Sequence, residues 1–434
     1  MKLLKFRALT CFVTFAGVTA IAPLRAQTQY TVTDLGPSGN PFSQALAINN
    51  YGMAAGLATA ANGASQAVLW YWGTPTNIGS PGLGGPNSNA GAVNDLGTVM
   101  GQAETGSPDA NKENFCGFGT TNQCLAFTWN YGTMTALPTL GGTNAAFGSI
   151  NRAGQSVGIA ETDRRDKACP TTPAVNGTGP LLYDFEAVVW GPLPGEIREL
   201  PPLSGDTVGE ANAINGSGEV VGASGTCANT TLPGFTAAPH AVLWDKDGTP
   251  HSLPSLGGAA PDVKVLGAGN VAFAINGHGI VAGQATLSNN TTFHPVLWQD
   301  GVIADLGVLA GDLVGAALAI NSIGDVVGAS VSAPGPATGN PRAFIWRNGT
   351  MTDLNLIAAG ATPLYLLTAF GISDNGEIVG FGATPAGELH AFLATPCQSG
   401  VGSCSSNITG AATVAPRLSE RTRKTLLRLG LRGR

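Results

Sequence analysis

Charge is scarce in this 434-residue chain: Asp, Glu, Lys and Arg make up 11% of it, against 43% apolar residues. That balance excludes a disordered polyelectrolyte and leaves enough apolar material for a real core. Histidine is rarer still, with 5 residues, and no Cys-x-x-Cys or His-rich spacing suggests a metal. No phosphate loop is present, and no cofactor and no catalytic set is assigned. After the first residues no apolar run approaches membrane-spanning length.

The charge that exists is unevenly placed. Residues 27–416 hold 10 Lys and Arg against 26 Asp and Glu, while most of the remaining basic residues fall in 417–434. An acidic body repels phosphate backbones, so nucleic acid is not an expected partner. The tail 417–434 mixes Arg and Leu with Gly430 and Gly433 and reads as a disordered end.

At the other end Lys2, Lys5 and Arg7 precede the apolar run 8–22 and then Pro23-Leu24-Arg25-Ala26, the layout of a secretory signal peptide cleaved after Ala26. The expected organisation is a signal at 1–26, a folded body at 27–396 and a tail at 397–434. Cleavage removes Cys11 and leaves Cys116, Cys124, Cys169, Cys227, Cys397 and Cys404, an even number that suits disulfides in an exported chain. The expected location is therefore secreted, periplasmic or cell-surface, with no membrane anchor after cleavage.

What the chain has in quantity is repetition. Asn49, Asn94, Asn151, Asn215, Asn276 and Asn321 are each followed three residues on by glycine, and Ser373 opens a seventh copy ending at Gly376. Asn accepts hydrogen bonds from turn backbone, and Gly takes the left-handed conformation that ends a type I turn with a bulge. Short apolar stretches flank each turn, so each phrase predicts a β-hairpin. A further glycine recurs four residues on, from Gly56 and Gly101 to Gly380. Glycine inside a strand predicts that something large lies against it, and an aromatic ring is the expected partner. Third strands then end in Trp70, Trp129, Trp190, Trp244, Trp298 and Trp346, and fourth strands in Leu-x-x-Leu-Gly-Gly or a variant.

Four short strands repeated seven times predict an all-β, seven-bladed β-propeller. The first unit opens on a lone fourth strand, Tyr30-Thr31-Val32-Thr33-Asp34, and the last stops at a third strand, His390-Ala391-Phe392-Leu393. The N-terminal strand is thus expected to complete the last blade and close the ring. The wording of all seven units resembles the extracellular repeat family named for His-Ala-Phe, the HAF repeat, of which His390-Ala391-Phe392 is a literal copy. The resemblance implies an exported bacterial protein and supplies no activity or catalytic residues. Gln66, Leu125, Glu186 and Arg342 replace the histidine in other units, and His240 and His294 follow the repeat register.

Strand direction sorts the connections into two ends. A–B and C–D turns share one end and are uniformly short; B–C loops and D–A crossings share the other. The B–C loops of units two to four, within 101–129, 158–190 and 222–244, are much longer than the rest. Four cysteines lie in them: Cys116 and Cys124 could close one loop, and Cys169 and Cys227 could tie two together, with Cys397 and Cys404 pinning the chain end. Six cysteines allow 15 pairings, so this choice rests on inferred proximity. Long cross-linked loops on a rigid scaffold suggest a binding surface. The candidate ligand-binding residues are Asp109, Lys112, Glu113, Asn114, Glu161, Asp163, Arg164, Arg165, Asp166 and Tyr183; mixed-sign runs of this sort also simply solvate loops. The expected function is a monomeric binding or scaffold module for an extracellular glycan or protein. The alternatives are a polymer-acting enzyme on the same face and a structural surface protein.

Overall fold

The computed structural model describes residues 28–36, 42–169, 181–227, 240–258, 269–332, 341–360 and 362–397. The segment 1–26, most of the tail and Cys404 lie outside them. The described strands form seven four-stranded antiparallel sheets, the seven blades of a β-propeller. Blade one shows the pattern: strand A is Ser43–Ile48, B is Met53–Thr59, C is Ser65–Tyr71 and D is Thr74–Asn77. The ring closes as expected, the strand Tyr30–Asp34 pairing antiparallel with Leu389–Pro396 as strand D of blade seven. Among the described residues, no helix is long and apolar enough to cross a membrane.

Each Asn-led turn has the expected chemistry. In blade four the Asn215 Oδ1 accepts from the backbone N–H of Ser217 and Glu219, both at 3.0 Å, and Gly218 takes φ +87°. The same asparagine also reaches sideways. Its Nδ2 donates to the Asn276 carbonyl of the next blade at 3.3 Å. Asn49 bonds Asn94 and Asn94 bonds Asn151 in this way, both at 3.0 Å, and the chain continues through Asn151, Asn276 and Asn321 to the Ser373 carbonyl. Ser373 has no amide to pass the bond on. At that seam Asp374 N–H donates to Asn50 Oδ1 and Asn375 Nδ2 to the Asn50 carbonyl, both at 2.8 Å. The repeated asparagine is therefore both a turn former and an inter-blade tie, and each buried donor is satisfied.

The recurrent strand-B glycine has a different primary cause from the one expected. Strand A carries a β-bulge at the same place in all seven blades, where the register shifts past Leu46, Gly91, Gly148, Asn212, Phe273, Leu318 and Phe370. The bulge drives a strand-A carbonyl toward the glycine: a Cβ on Gly222 would lie 1.8 Å from the Glu210 oxygen, and one on Gly56 2.0 Å from that of Gln44. An aromatic ring is the second neighbour in several blades, such as Trp298 at Gly283 and Phe392 at Gly380. The aromatic cover is thus real there, but backbone crowding is what forbids a side chain.

Each blade buries one large aromatic between itself and its neighbour, in one of two ways. Where strand C has Val two residues before Trp, the indole is buried, as with Trp70, Trp190, Trp244 and Trp298. Those indoles donate to the carbonyls of Leu35, Pro138, Pro201 and Pro254 in the preceding D–A crossings, at 2.7–3.0 Å. Where Phe stands at the earlier position, Phe127 and Phe344 take the buried place, and Trp129 and Trp346 are only half-buried. Clusters such as Val157, Ala187 and Val189 with Ile214, Val220 and Trp244 show that the core lies between blades.

Candidate functional site

The long-loop end of blades two to four is built on two disulfides, Cys116–Cys124 and Cys169–Cys227, the two pairings expected for those loops. The first closes the blade-two loop; the second joins blade three to blade four. Around them Phe115, Leu181 and Phe185 pack with Ala146, Val208 and Val271, which belong to strands A of blades three, four and five. The loops therefore fold inward into a second core.

That inward fold buries three of the candidate ligand-binding residues. Asp109, Glu113 and Glu161 are all within the molecule. They converge on Asn144, whose Oδ1 is fixed by the Cys124 N–H at 3.0 Å. Its Nδ2 consequently faces Asp109 Oδ2 at 3.2 Å, Glu113 Oε2 at 3.3 Å and Glu161 Oε2 at 3.2 Å. Glu161 Oε2 also accepts from the N–H groups of Thr143 and Asn144, at 2.8 and 3.1 Å, and Asp109 Oδ2 from the Thr143 hydroxyl at 2.8 Å. Leu182 N–H, from the far end of the blade-three loop, donates to Glu113 Oε1 at 2.8 Å.

Burial pushes the Glu113 carboxyl up to about 9, with the adjacent Glu161 adding to the rise. Burial and the side-chain hydrogen bond to Glu161 favour the protonated form of Glu113. The cluster is a hydrogen-bonded lock that holds the described parts of two long loops to strands A and B of blade three. Glu186 behaves similarly, pushed up to about 8 by burial and by Glu199, despite the Arg164 guanidinium 2.9 Å from its Oε1. The sequence does not mark Thr143 and Asn144 as members, because nothing in their local sequence tells that three carboxyl groups from elsewhere meet there.

Other candidates remain at the surface. Lys112, Asp163, Arg164 and Arg165 are exposed, and Asn114, Asp166 and Tyr183 are partly so. Arg165 lies over the Tyr183 ring at 5.3 Å. Asn114 accepts from Gly119 N–H within its own loop at 3.0 Å, and Asp166 from the Thr207 hydroxyl of blade four at 3.3 Å. Asp166 also lies near both sulfurs of Cys169–Cys227. Those sulfurs are committed to each other, so the trio offers no thiolates to a metal.

The three histidines that begin third strands are held by carboxylates: His240 Nδ1 with Asp206 at 2.9 Å, His294 Nδ1 with Asp305 at 3.0 Å and His390 Nδ1 with Asp34 at 2.9 Å. His390–Asp34 spans the ring closure. In blade six Arg342 takes the same place and pairs with Asp312 and Asp353. These pairs fasten strand C to strand D or to a neighbouring loop, and Asp206 also accepts from the Ser224 hydroxyl at 2.7 Å.

The central channel holds a cavity of about 200 Å³ lined by the bulge residues Leu46, Asn212, Phe273, Leu318 and Phe370. The Phe147 ring covers Gly91 so closely that a Cβ there would lie 1.6 Å from it. At the short-turn end a mouth of about 280 Å³ is rimmed by Asn50, Asp95, Arg152, Ser322 and Asp374.

The chain is, on this architecture, a disulfide-stapled seven-bladed propeller. No family model matches it, and no curated protein matches it. Solved propellers do. The β-propeller domain of the Trilobed protease from Pyrococcus furiosus is 11% identical with a TM-score of 0.47, over 83% of this chain and 96% of that one. A streptogramin B lyase is 10% identical with a TM-score of 0.46, over 85% and 98%. The Aleuria aurantia lectin, solved with Fucalpha1-6GlcNAc, is 10% identical with a TM-score of 0.35, over 85% and 100%. No ligand or reaction is taken from any of them.

Proposed function

We propose that this chain is an exported binding module of the HAF-repeat kind, which engages its ligand at the end carrying the long B–C loops of blades two to four. The observation that carries this reading is how the described parts of those loops are held. Two disulfides and the Asp109–Glu113–Asn144–Glu161 cluster hold them, so Lys112, Asp163, Arg165 and Tyr183 project from a base that loses little entropy on binding. The disulfides also support an oxidising compartment. A polymer-cleaving reaction gains no support here, because Glu113 and Glu161 have no solvent-facing surface for a substrate to reach.

A glycan and peptide array probed with the protein tests the proposal. A ligand should appear whose signal falls for Asp163→Ala and Arg165→Ala and holds for substitutions at the short-turn end. Silence on both arrays, without polymer hydrolysis, would speak for a structural surface protein instead.

A further inference from the structure

In four blades the C–D connection is a two-residue turn whose first residue has positive φ: Trp72 (52°), Tyr131 (47°), Asp300 (50°) and Asn348 (50°), each followed by a glycine that also has positive φ. Asp and Asn suit that conformation, whereas a bulky aromatic there is an outlier. Burial does not compensate either ring, since Trp72 is 78% exposed and Tyr131 89%. Trp72 is also the one tryptophan of 7 outside the repeat's Trp position.

The two rings have company. Tyr71, 51% exposed, meets Trp72 edge-on with 6.0 Å between centroids. Register sets Met53 opposite Tyr71, so the A–B turn bearing Tyr51, 63% exposed, lies at the same end of blade one. Blade two adds the exposed Leu96 of its A–B turn and the half-buried Trp129, two residues before Tyr131. The A–B turns of the two blades are tied through Asn50 and Asp95 at 3.0 Å. Blades four to six present Asp247, Asp300 and Asn348 where blades one and two present Trp72 and Tyr131.

We propose that the short-turn end of blades one and two binds an uncharged polysaccharide, its sugar rings stacking on Trp72 and Tyr131 with Tyr51 and Tyr71 beside them. Exposed Tyr and Trp offer a flat apolar face and a polar tip at low entropic cost, which suits a ring with apolar faces and hydroxyl edges. Charge selects among stacking ligands. Residues 28–111 contain no Lys, Arg or His, so a nucleic acid or anionic polymer finds no counter-charge on blade one. A protein interface core brings a contiguous apolar patch and Arg anchors. Here exposed Thr74, opposite Tyr71 in register, stands at the same end instead. Aromatic platforms on consecutive blades fit a chain of sugars better than a single one.

The test is affinity electrophoresis and tryptophan fluorescence of the full chain with soluble β-1,3-glucan, β-1,4-glucan, mannan and xylan, with polygalacturonate and single-stranded DNA as charged probes. At least one neutral polymer should retard the protein and shift its emission. Trp72→Asn and Tyr131→Asn should each weaken binding by about tenfold, with melting temperatures no lower than that of the parent. Val302→Thr, at an exposed apolar residue of blade five, should leave binding intact. The proposal is overturned if no neutral polymer binds, if only charged polymers bind, or if both Asn variants bind as the parent does. A concentration-dependent dimer dissolved by the same substitutions would overturn it in favour of a protein interface. Because this surface lies at the opposite end from the long loops, its failure leaves the long-loop reading untouched.

Discussion

The two ends of the propeller hold themselves together by different means. At the short-turn end, six copies of one asparagine tie each turn to the next, and the scheme lapses at Ser373. At the long-loop end, three blades depart from the repeat, and the departures are secured by disulfides and by the buried hydrogen bond of Glu113 to Glu161. Repetition thus supplies ties that work in every blade. Insertions into the repeat require fastenings of their own, which respond to redox and pH as the asparagine ties do not.

The largest effect should come from breaking what every blade shares. Gly222→Ala sets a Cβ against the Glu210 carbonyl, backbone that a rotamer change cannot move. A cost of about 3 kcal/mol follows, at the upper end of overpacking effects. Thermal or denaturant unfolding would show it, and a cost under about 0.5 kcal/mol, typical of inert surface sites, would refute the bulge explanation.

An intermediate effect belongs to the insertions. Glu113 is a carboxyl whose proton affinity is raised by folding, so between the unfolded value and about 9 the native state binds more protons. Its contribution to stability is full below the unfolded value and is lost as pH rises toward about 9. Melting temperature should therefore fall from pH 5 to pH 9, with Glu186 adding to the trend up to about 8. Glu113→Gln retains a donor toward Glu161 without a titrating proton, and should flatten the fall. An unchanged slope in that variant would show that the lock does not exist.

The smallest effect should be a gain. Ser373→Asn places an amide where the ring of asparagine ties is interrupted, and by analogy with the other six blades that amide is expected to bond the Asn49 carbonyl. About 0.5–1 kcal/mol of stabilisation is expected from one added hydrogen bond, read as a melting temperature raised by about a degree.

The parts legible beforehand were those in which a residue type admits one local use. Asn215 and Gly218 define their turn wherever they stand, seven such turns count the blades, and the unpaired strand at Tyr30 calls for the unpaired strand at His390. The remainder depended on what stands across a gap. Asn215 shows its turn-forming oxygen in the sequence but not the neighbouring carbonyl its nitrogen meets. Gly222 recurs visibly, while the bulge that requires it lies in another strand. Asp109, Glu113 and Glu161 look like solvated loop charges until the loops fold inward around Asn144. Trp72 did leave a trace, a tryptophan before glycine where Asp300 and Asn348 stand in other units. The trace is easily passed over because the turn is as short there as elsewhere.

The central claim is that the repeat serves stability and that departures from it serve recognition. The melting temperature of a Trp72→Asn/Tyr131→Asn double variant tests it most directly. Restoring the residue type that blade six uses at this turn should leave that temperature unchanged or raise it. A clear fall would mean that both rings are part of the packing and would contradict the claim.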